Sequence, residues 1–157
     1  MASKHFTYEE IKKKISAYCA YQERCHLEVR NKLRQYGLYG TILENIMAWL
    51  ITENFLKEER YARTIAGGKF RIKKWGRIKI VQFLKKKQVS DYCIRQAIEE
   101  INEDEYQEAI MILIKKKSNQ LDESDRYKKT NKIARFMIGK GYEPDLVWKN
   151  IRTILPK

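Results

Sequence analysis

Turn-forming residues are scarce in this chain of 157 residues, which has only two prolines and seven glycines. All-β domains need many such residues, so the scarcity points to helices. Cysteine is nearly absent too. Cys19, Cys25 and Cys93 form no C-x-x-C pair, and an odd count does not suit the paired framework of small secreted scaffolds, so reduced thiols are expected. Cys19 falls at a core-facing helical position, where plain packing is its reading. His5 and His26 are the only histidines, with no H-x-x-x-H motif or Cys/His cluster. That excludes the usual zinc arrangements, and no metal or cofactor is expected. The purely apolar runs, Ile46–Ile51 and Ala109–Ile114, are far below the roughly 18 residues that span a bilayer. Met1–Phe6 carries no apolar segment of signal-peptide type. A cytoplasmic protein without membrane contact is expected.

Catalytic motifs are missing as well. There is no Gly-rich phosphate loop, no G-x-S-x-G and no H-E-x-x-H. The carboxylate pairs Glu58-Glu59 and Glu99-Glu100 sit at predicted helix ends, where solvated charge is ordinary. The expectation is that the chain is not an enzyme.

One further absence is local. Between Arg60 and Ser90 there is no carboxylate, against 11 basic residues. The remaining 22 basic and 20 acidic residues nearly cancel, so +11 of the net charge of +13 lies in this block. Gln96–Ile114 is its complement, with six acidic residues and no basic ones. Those acids either compensate the block internally or repel nucleic acid from that end.

What is present is a repeat. Val29–Ile46, Ile80–Ile98 and Ile133–Ile151 align without gaps at offsets of 51 and 53 residues. Five apolar columns then coincide: Val29, Ile80 and Ile133; Leu33, Leu84 and Met137; Leu38, Val89 and Tyr142; Leu43, Ile94 and Val147; Met47, Ile98 and Ile151. Each copy reads as two helices around a turn. Gly37 and Gly141 stand where a left-handed C′ residue is needed, followed by an apolar residue that folds back. Gln88 holds that place in the middle copy, at a conformational cost. Pro144 and Asp145 suit the first turn of the helix that follows.

A third helix precedes each pair. Thr7-Tyr8-Glu9-Glu10 is a capping box, with Phe6 and Ile11 placed as a hydrophobic staple. Ile11, Ile15, Tyr18 and Cys19 follow at helical spacing, as do Ala62, Ile65, Ala66 and Phe70, and then Tyr106, Ala109, Ile110 and Leu113. The expected fold is all-α: three tandem three-helix repeats at 1–56, 57–102 and 103–157, stacked as an elongated, curved array. A compact nine-helix domain is the alternative.

On the first helix of the middle repeat, Arg60, Arg63, Gly67, Arg71 and Lys74 fall on one side, away from the apolar stripe. Glycine inside a helix costs about 1 kcal/mol relative to alanine, and Gly68 follows directly. The pair marks either a helix break or a place where a partner approaches the backbone closely. On the next helix Ile80, Phe83 and Leu84 face inward, opposite Lys79, Gln82 and Lys86, with Lys85 flanking. Lys85, Lys86 and Lys87 also occupy its last turn, where cations complement the helix dipole. Ordinary solvated faces mix both signs, so this block points to a polyanionic partner. Trp75, flanked by Lys73, Lys74 and Arg77, reads either as packing at a turn or as a base-stacking ring.

Asn54-Phe55-Leu56-Lys57-Glu58-Glu59-Arg60-Tyr61-Ala62 resembles the G-Y-[LI]-[DN]-[DE]-x-R-[FY]-A signature of the RecX regulators. Trp75-Gly76-Arg77-Ile78, with Leu84, Lys87, Gln88 and Val89, is similar to that family's G-x-x-x-I-x-x-x-L-x-x-K-G-[IV] continuation. Arg24, Glu28 and Leu33 stand where the family has Arg, Glu and Leu, and Gly141-Tyr142 resembles its late [KR]-G-[YF]. The likeness covers nearly the whole chain. Lys57 departs from a common capping Asp or Asn, and Gln88 from a Gly; both concern helix ends.

The resemblance implies three three-helix modules and a non-enzymatic modulator of the RecA recombinase. Such a protein lodges in the groove of the RecA–DNA filament and hinders its growth and activities in recombination, DNA repair and the SOS response. Some members also bind single- or double-stranded DNA. A monomer is expected. The expected filament- or DNA-binding residues are Arg60, Arg63, Lys69, Arg71, Lys73, Lys74, Arg77, Lys79, Lys85, Lys86 and Lys87. The alternative is a free-standing, non-sequence-specific DNA-binding helical module; no recognition helix aiming Asn, Gln and Arg at base edges stands out.

Overall fold

A computed structural model of the chain describes residues 5–156. Among them run nine α-helices and no strand: α1 (Tyr8–Tyr21), α2 (His26–Gln35), α3 (Gly40–Thr52), α4 (Glu58–Arg71), α5 (Arg77–Lys86), α6 (Asp91–Glu99), α7 (Glu103–Gln120), α8 (Arg126–Gly139) and α9 (Pro144–Ile154). The chain is an all-α array of tandem three-helix repeats.

Local chemistry starts these helices. The Glu10 backbone N–H donates to Thr7 Oγ1 at 3.2 Å, and the Thr7 N–H donates back to the Glu10 carboxylate at 3.4 Å, closing the expected capping box. Phe6 packs on the core beside it. At α2 the Cys25 N–H donates to Glu28 at 3.0 Å. Asn102 and Asp125 accept from the N–H groups of Glu105 and Lys128 to start α7 and α8, and Pro144 opens α9.

The second helix of every repeat stops in the same way. Leu38, Val89 and Tyr142 donate their N–H groups back to Leu33, Leu84 and Met137 at 3.1, 3.1 and 3.2 Å. Gly37, Gln88 and Gly141 donate to Arg34, Lys85 and Ile138 at 2.9, 2.9 and 3.0 Å. These paired bonds define a Schellman motif. Its C′ residue must be left-handed, and φ is 87° at Gly37, 99° at Gly141 and 59° at Gln88. The middle repeat therefore makes the same turn with a side chain that disfavours it.

The five apolar columns are the core. Thirteen of their fifteen residues are buried, and Leu38 and Ile98 are half-buried. Two compact units result, one of Met1–Thr64 with Leu84–Gln96, the other of Ile65–Phe83 with Ala97–Lys157. In the first, Ile11, Ile15, Leu33, Leu43, Ile46 and Leu50 form the centre of a continuous cluster. In the second, Tyr106, Ile110, Ile114, Ile133, Met137, Val147 and Ile151 are all buried.

Of the two readings of the glycine pair, the break does not occur: α4 runs unbroken through Gly67 and Gly68. Gly67 is buried, and a Cβ there would lie 2.7 Å from Arg71 Nη2, so the group lying close to this glycine is the chain's own arginine. The basic stripe also ends sooner than the wheel predicts. α4 stops at Arg71, and Lys74 lies beyond it with φ 60°, in a reversal closed by the Trp75 N–H on the Lys69 carbonyl at 3.0 Å. The helical wheel assumes a helix that the chain must leave in order to reach α5.

Candidate functional site

The second unit builds its surface on a backbone-to-backbone joint. The Gly76 N–H donates to the Lys140 carbonyl at 2.8 Å, and the Ile78 N–H to the Gly141 carbonyl at 3.0 Å. The Tyr142 hydroxyl donates to the Lys74 carbonyl at 2.9 Å. The turn before α5 is thereby fastened to the turn after α8.

Arg77 locks this joint. Its guanidinium donates to Glu143 at 2.9 Å, pairs with Glu103, and lies 3.7 Å from the centroid of the Tyr106 ring. The Arg77 N–H donates to the Tyr106 hydroxyl at 3.0 Å, and that hydroxyl donates to Glu143. Tyr106 is fully buried. Burial first, then the hydrogen bond to Glu143, push its phenol up, so it stays a donor. Phe70 and Tyr142 lie 5.7 and 5.4 Å from Tyr106 between ring centroids.

The eleven expected cations occupy unlike environments. In the first unit, Arg60 donates to Glu23 at 2.6 Å and to the Asn54 carbonyl at 3.1 Å, so it ties down the loop that follows α3. Arg63 is half-buried. Lys87 stands 3.7 Å from Glu28, while Lys85 and Lys86 are exposed.

In the second unit Arg77 is held as described. Lys69 and Lys79 are half-buried, their ammonium groups 4.8 and 4.6 Å from the Trp75 ring centroid. Trp75 meets Phe83 edge-on at 5.9 Å. Arg71, Lys73 and Lys74 are exposed, and none of them forms an ion pair among the described residues. Arg71 and Lys74 line an open groove of about 450 Å³ together with Phe70, Ile112, Glu105 and Glu108. Within this unit the acidic segment meets the basic block at Arg77, through Glu103.

Some relevant residues lie outside the block. Lys117 and Lys140 sit 4.6 and 5.6 Å from the Phe136 ring centroid. Burial, then the charges of Lys79 and Lys116, hold the Lys140 ammonium below its usual range. Glu143, which neutralises Arg77, is also far away in sequence. The only sequence signal near these groups is the Gly141-Tyr142 pair. Among the described residues no group of three or more His, Cys, Asp or Glu could hold a metal ion. No helix of the described chain is long and apolar enough to cross a membrane.

Residues 58–98 match the family model of the RecX second three-helix domain, and residues 103–151 that of the RecX third three-helix domain. The chain belongs to the RecX family. The regulatory protein RecX of Clostridium perfringens (strain 13 / Type A) is 32% identical over 129 residues, covering 81% of this chain and 60% of that protein. That of Clostridium botulinum (strain Eklund 17B / Type B) is 34% identical over 122 residues, covering 76% and 57%. The chain thus spans less than two thirds of the length of these RecX relatives. The crystal structure of RecX from Lactobacillus salivarius shares the fold, with a TM-score of 0.86 over 94% of this chain and 96% of that one, at 22% identity. All eleven cations lie inside the second RecX domain match; Tyr106, Phe136, Lys140 and Glu143 lie inside the third.

Proposed function

We propose that this chain regulates a RecA recombinase without itself catalysing a reaction. It binds the RecA–DNA nucleoprotein filament and hinders the filament's growth and its activities in recombination and repair. It acts in the cytoplasm as a monomer, with residues 57–102 as the docking module between near-neutral modules at 1–56 and 103–157. Membership of a family of regulatory proteins supports the role. The observation that carries the contact is the exposed trio Arg71, Lys73 and Lys74 of the second unit, left without ion-pair partners among the described residues. Arg60, Arg77 and Lys87 have carboxylate partners in the chain and serve the docking surface by shaping it.

The double substitution Arg71→Glu and Lys74→Glu tests this. It is expected to abolish inhibition of RecA-dependent ATP hydrolysis on single-stranded DNA while far-UV circular dichroism stays unchanged. Full inhibition by the folded variant removes the assignment. Binding to bare and RecA-coated DNA across salt separates the alternative. A free-standing module with about five phosphate contacts binds both alike, with a log–log salt slope near −4 to −5 on duplex.

A further inference from the structure

Lys74 holds a backbone conformation that a lysine side chain disfavours. Among the described residues, three residues other than glycine have positive φ: Asn54 at 64°, Lys74 at 60° and Gln88 at 59°. Asparagine tolerates the left-handed region, and Gln88 stands at a Schellman turn whose paired bonds hold it there. Neither reason applies to Lys74. Its turn is closed by the Trp75 N–H on the Lys69 carbonyl at 3.0 Å, one residue wider than the Schellman turns that join Leu38 to Leu33, Val89 to Leu84 and Tyr142 to Met137. The Lys74 carbonyl is instead bonded from the third repeat, by the Tyr142 hydroxyl at 2.9 Å.

Packing does not ask for that hydroxyl. The column that Tyr142 fills is occupied by Leu38 and Val89 in the other repeats. Tyr142 is fully buried, and a buried hydroxyl is costly unless it is bonded. Burial pushes its phenol up, so it stays a donor. Fastening the two turns together explains the Gly76 and Ile78 bonds, but not why a lysine occupies the left-handed place. Where conformation alone matters glycine serves, as at Gly37 and Gly141. At position 74 the chain keeps a charged side chain. It is exposed, has no ion-pair partner among the described residues, and lines the same groove as Arg71.

We infer that Tyr142 is a positioning residue for the docking surface. Its hydroxyl holds Lys74 in the left-handed conformation, and that conformation sets the Lys74 side chain on the groove it shares with Arg71. The third repeat thereby shapes a contact that the second repeat makes. Without the hydroxyl, Lys74 relaxes toward the backbone regions that side chains prefer. Only a fraction of chains then presents the lysine correctly, and apparent affinity falls by that fraction. The inference rests on the filament reading above and deepens it, by adding a residue from outside the basic block.

The test measures the concentration of the full chain that half-inhibits RecA-dependent ATP hydrolysis on single-stranded DNA. Tyr142→Phe keeps the ring, 5.4 Å from Tyr106 between centroids, and removes only the hydroxyl. It is expected to raise that concentration about fivefold, and Lys74→Gln about tenfold. In the Lys74→Gln background Tyr142→Phe is expected to add less than about twofold, because its effect runs through Lys74. Tyr61→Phe removes another fully buried phenol hydroxyl, in the first unit, and should leave inhibition within about twofold of the parent. The backbone carbon chemical shifts of Lys74 should leave their left-handed values in Tyr142→Phe. Lys74→Gly should unfold at a higher temperature than Lys74→Gln yet inhibit no better.

Equal factors for Tyr142→Phe in the parent and Lys74→Gln backgrounds overturn the inference. Unmoved Lys74 shifts do so as well, as does a Lys74→Gly chain no more stable than Lys74→Gln. A loss of inhibition in Tyr61→Phe as large as in Tyr142→Phe also overturns it, by making destabilisation the cause. The two readings fail separately. If Lys74→Gln inhibits like the parent while Tyr142→Phe still moves the Lys74 shifts, the filament contact falls and the positioning of Lys74 stands. If Lys74→Gln loses inhibition and Tyr142→Phe does not, the positioning role falls and the filament contact stands.

Discussion

Alanine is expected to act in opposite directions at Gly76 and Gly68, two glycines of the same compact unit. A Cβ on Gly76 would lie 2.3 Å from the Gly141 carbonyl carbon and 2.4 Å from both its oxygen and the Tyr142 nitrogen. All three are backbone atoms, so no side chain can swing aside. Gly76 is not among the residues of positive φ, so alanine suffers no conformational penalty of its own there. The cost is separation of the joint. That loses the Gly76–Lys140 and Ile78–Gly141 bonds of 2.8 and 3.0 Å, and the Tyr142–Lys74 bond of 2.9 Å. At about 1 kcal/mol net for each bond, Gly76→Ala should cost about 3 kcal/mol.

Gly68 has nothing within 4 Å of its would-be Cβ and sits inside α4. Gly68→Ala should therefore gain about 1 kcal/mol from helix propensity. Both positions lie in Ile65–Phe83, so the same cooperative transition reports them. Urea and thermal unfolding followed by far-UV circular dichroism measure the pair. At 2–4 °C per kcal/mol for a chain of this size, the midpoint should fall by roughly 6–12 °C for Gly76→Ala and rise by roughly 2–4 °C for Gly68→Ala. A Gly76→Ala midpoint equal to the parent's refutes the joint. Equal destabilisation by both variants refutes the claim that the contact, rather than loss of glycine, is responsible.

Two further outcomes are expected. Gln88→Gly should stabilise the chain by about 0.5–1 kcal/mol in urea unfolding, because Gln88 holds φ 59° at the Schellman turn; Gln88→Ala should not, and equal gains from both would contradict the assignment of strain. Glu103 has its carboxyl held below the usual range, first by the Gln107 amide, which donates to it at 3.1 Å, and then by Arg77. A carboxyl depressed in the folded state contributes stability that is present above its unfolded pKa of about 4.3 and is lost as pH falls through the folded value. Glu103→Gln should therefore lessen the fall in midpoint below about pH 4.3, modestly because the group is mostly exposed; an unaltered acid limb in a pH series of thermal scans counts against it.

The helices were legible because their signals are short-range. The capping box at Thr7 and Glu10 spans four residues, and the Schellman turn at Gly37 and Leu38 reaches back to Leu33; both occur as the residue types require. The repeat was legible because stacking buries the same columns in every copy. Of the two readings of Gly67 and Gly68, the break fails because helix propensity counts a glycine as a defect. It takes no account of an arginine one turn later folding over the bare backbone. The wheel placed Lys74 on α4 because periodicity alone does not mark where a chain turns out of its helix.

The charge block is where linear sequence and surface diverge most. A stretch without carboxylates reads as uncompensated, but charge is compensated in space. Arg77 draws Glu103 and Glu143 from the following repeat, the latter 66 residues on, and Arg60 draws Glu23 from 37 residues before it. Near neutrality in the flanking stretches is no better a guide. Lys117 and Lys140 come from a segment whose own charges nearly cancel, yet they flank Phe136 with no carboxylate partner among the described residues. What decides whether a cation is compensated is its neighbours in the fold: within the second unit Arg77 is neutralised, while Arg71, Lys73 and Lys74 of the block and Lys117 and Lys140 beyond it have no carboxylate partner among the described residues.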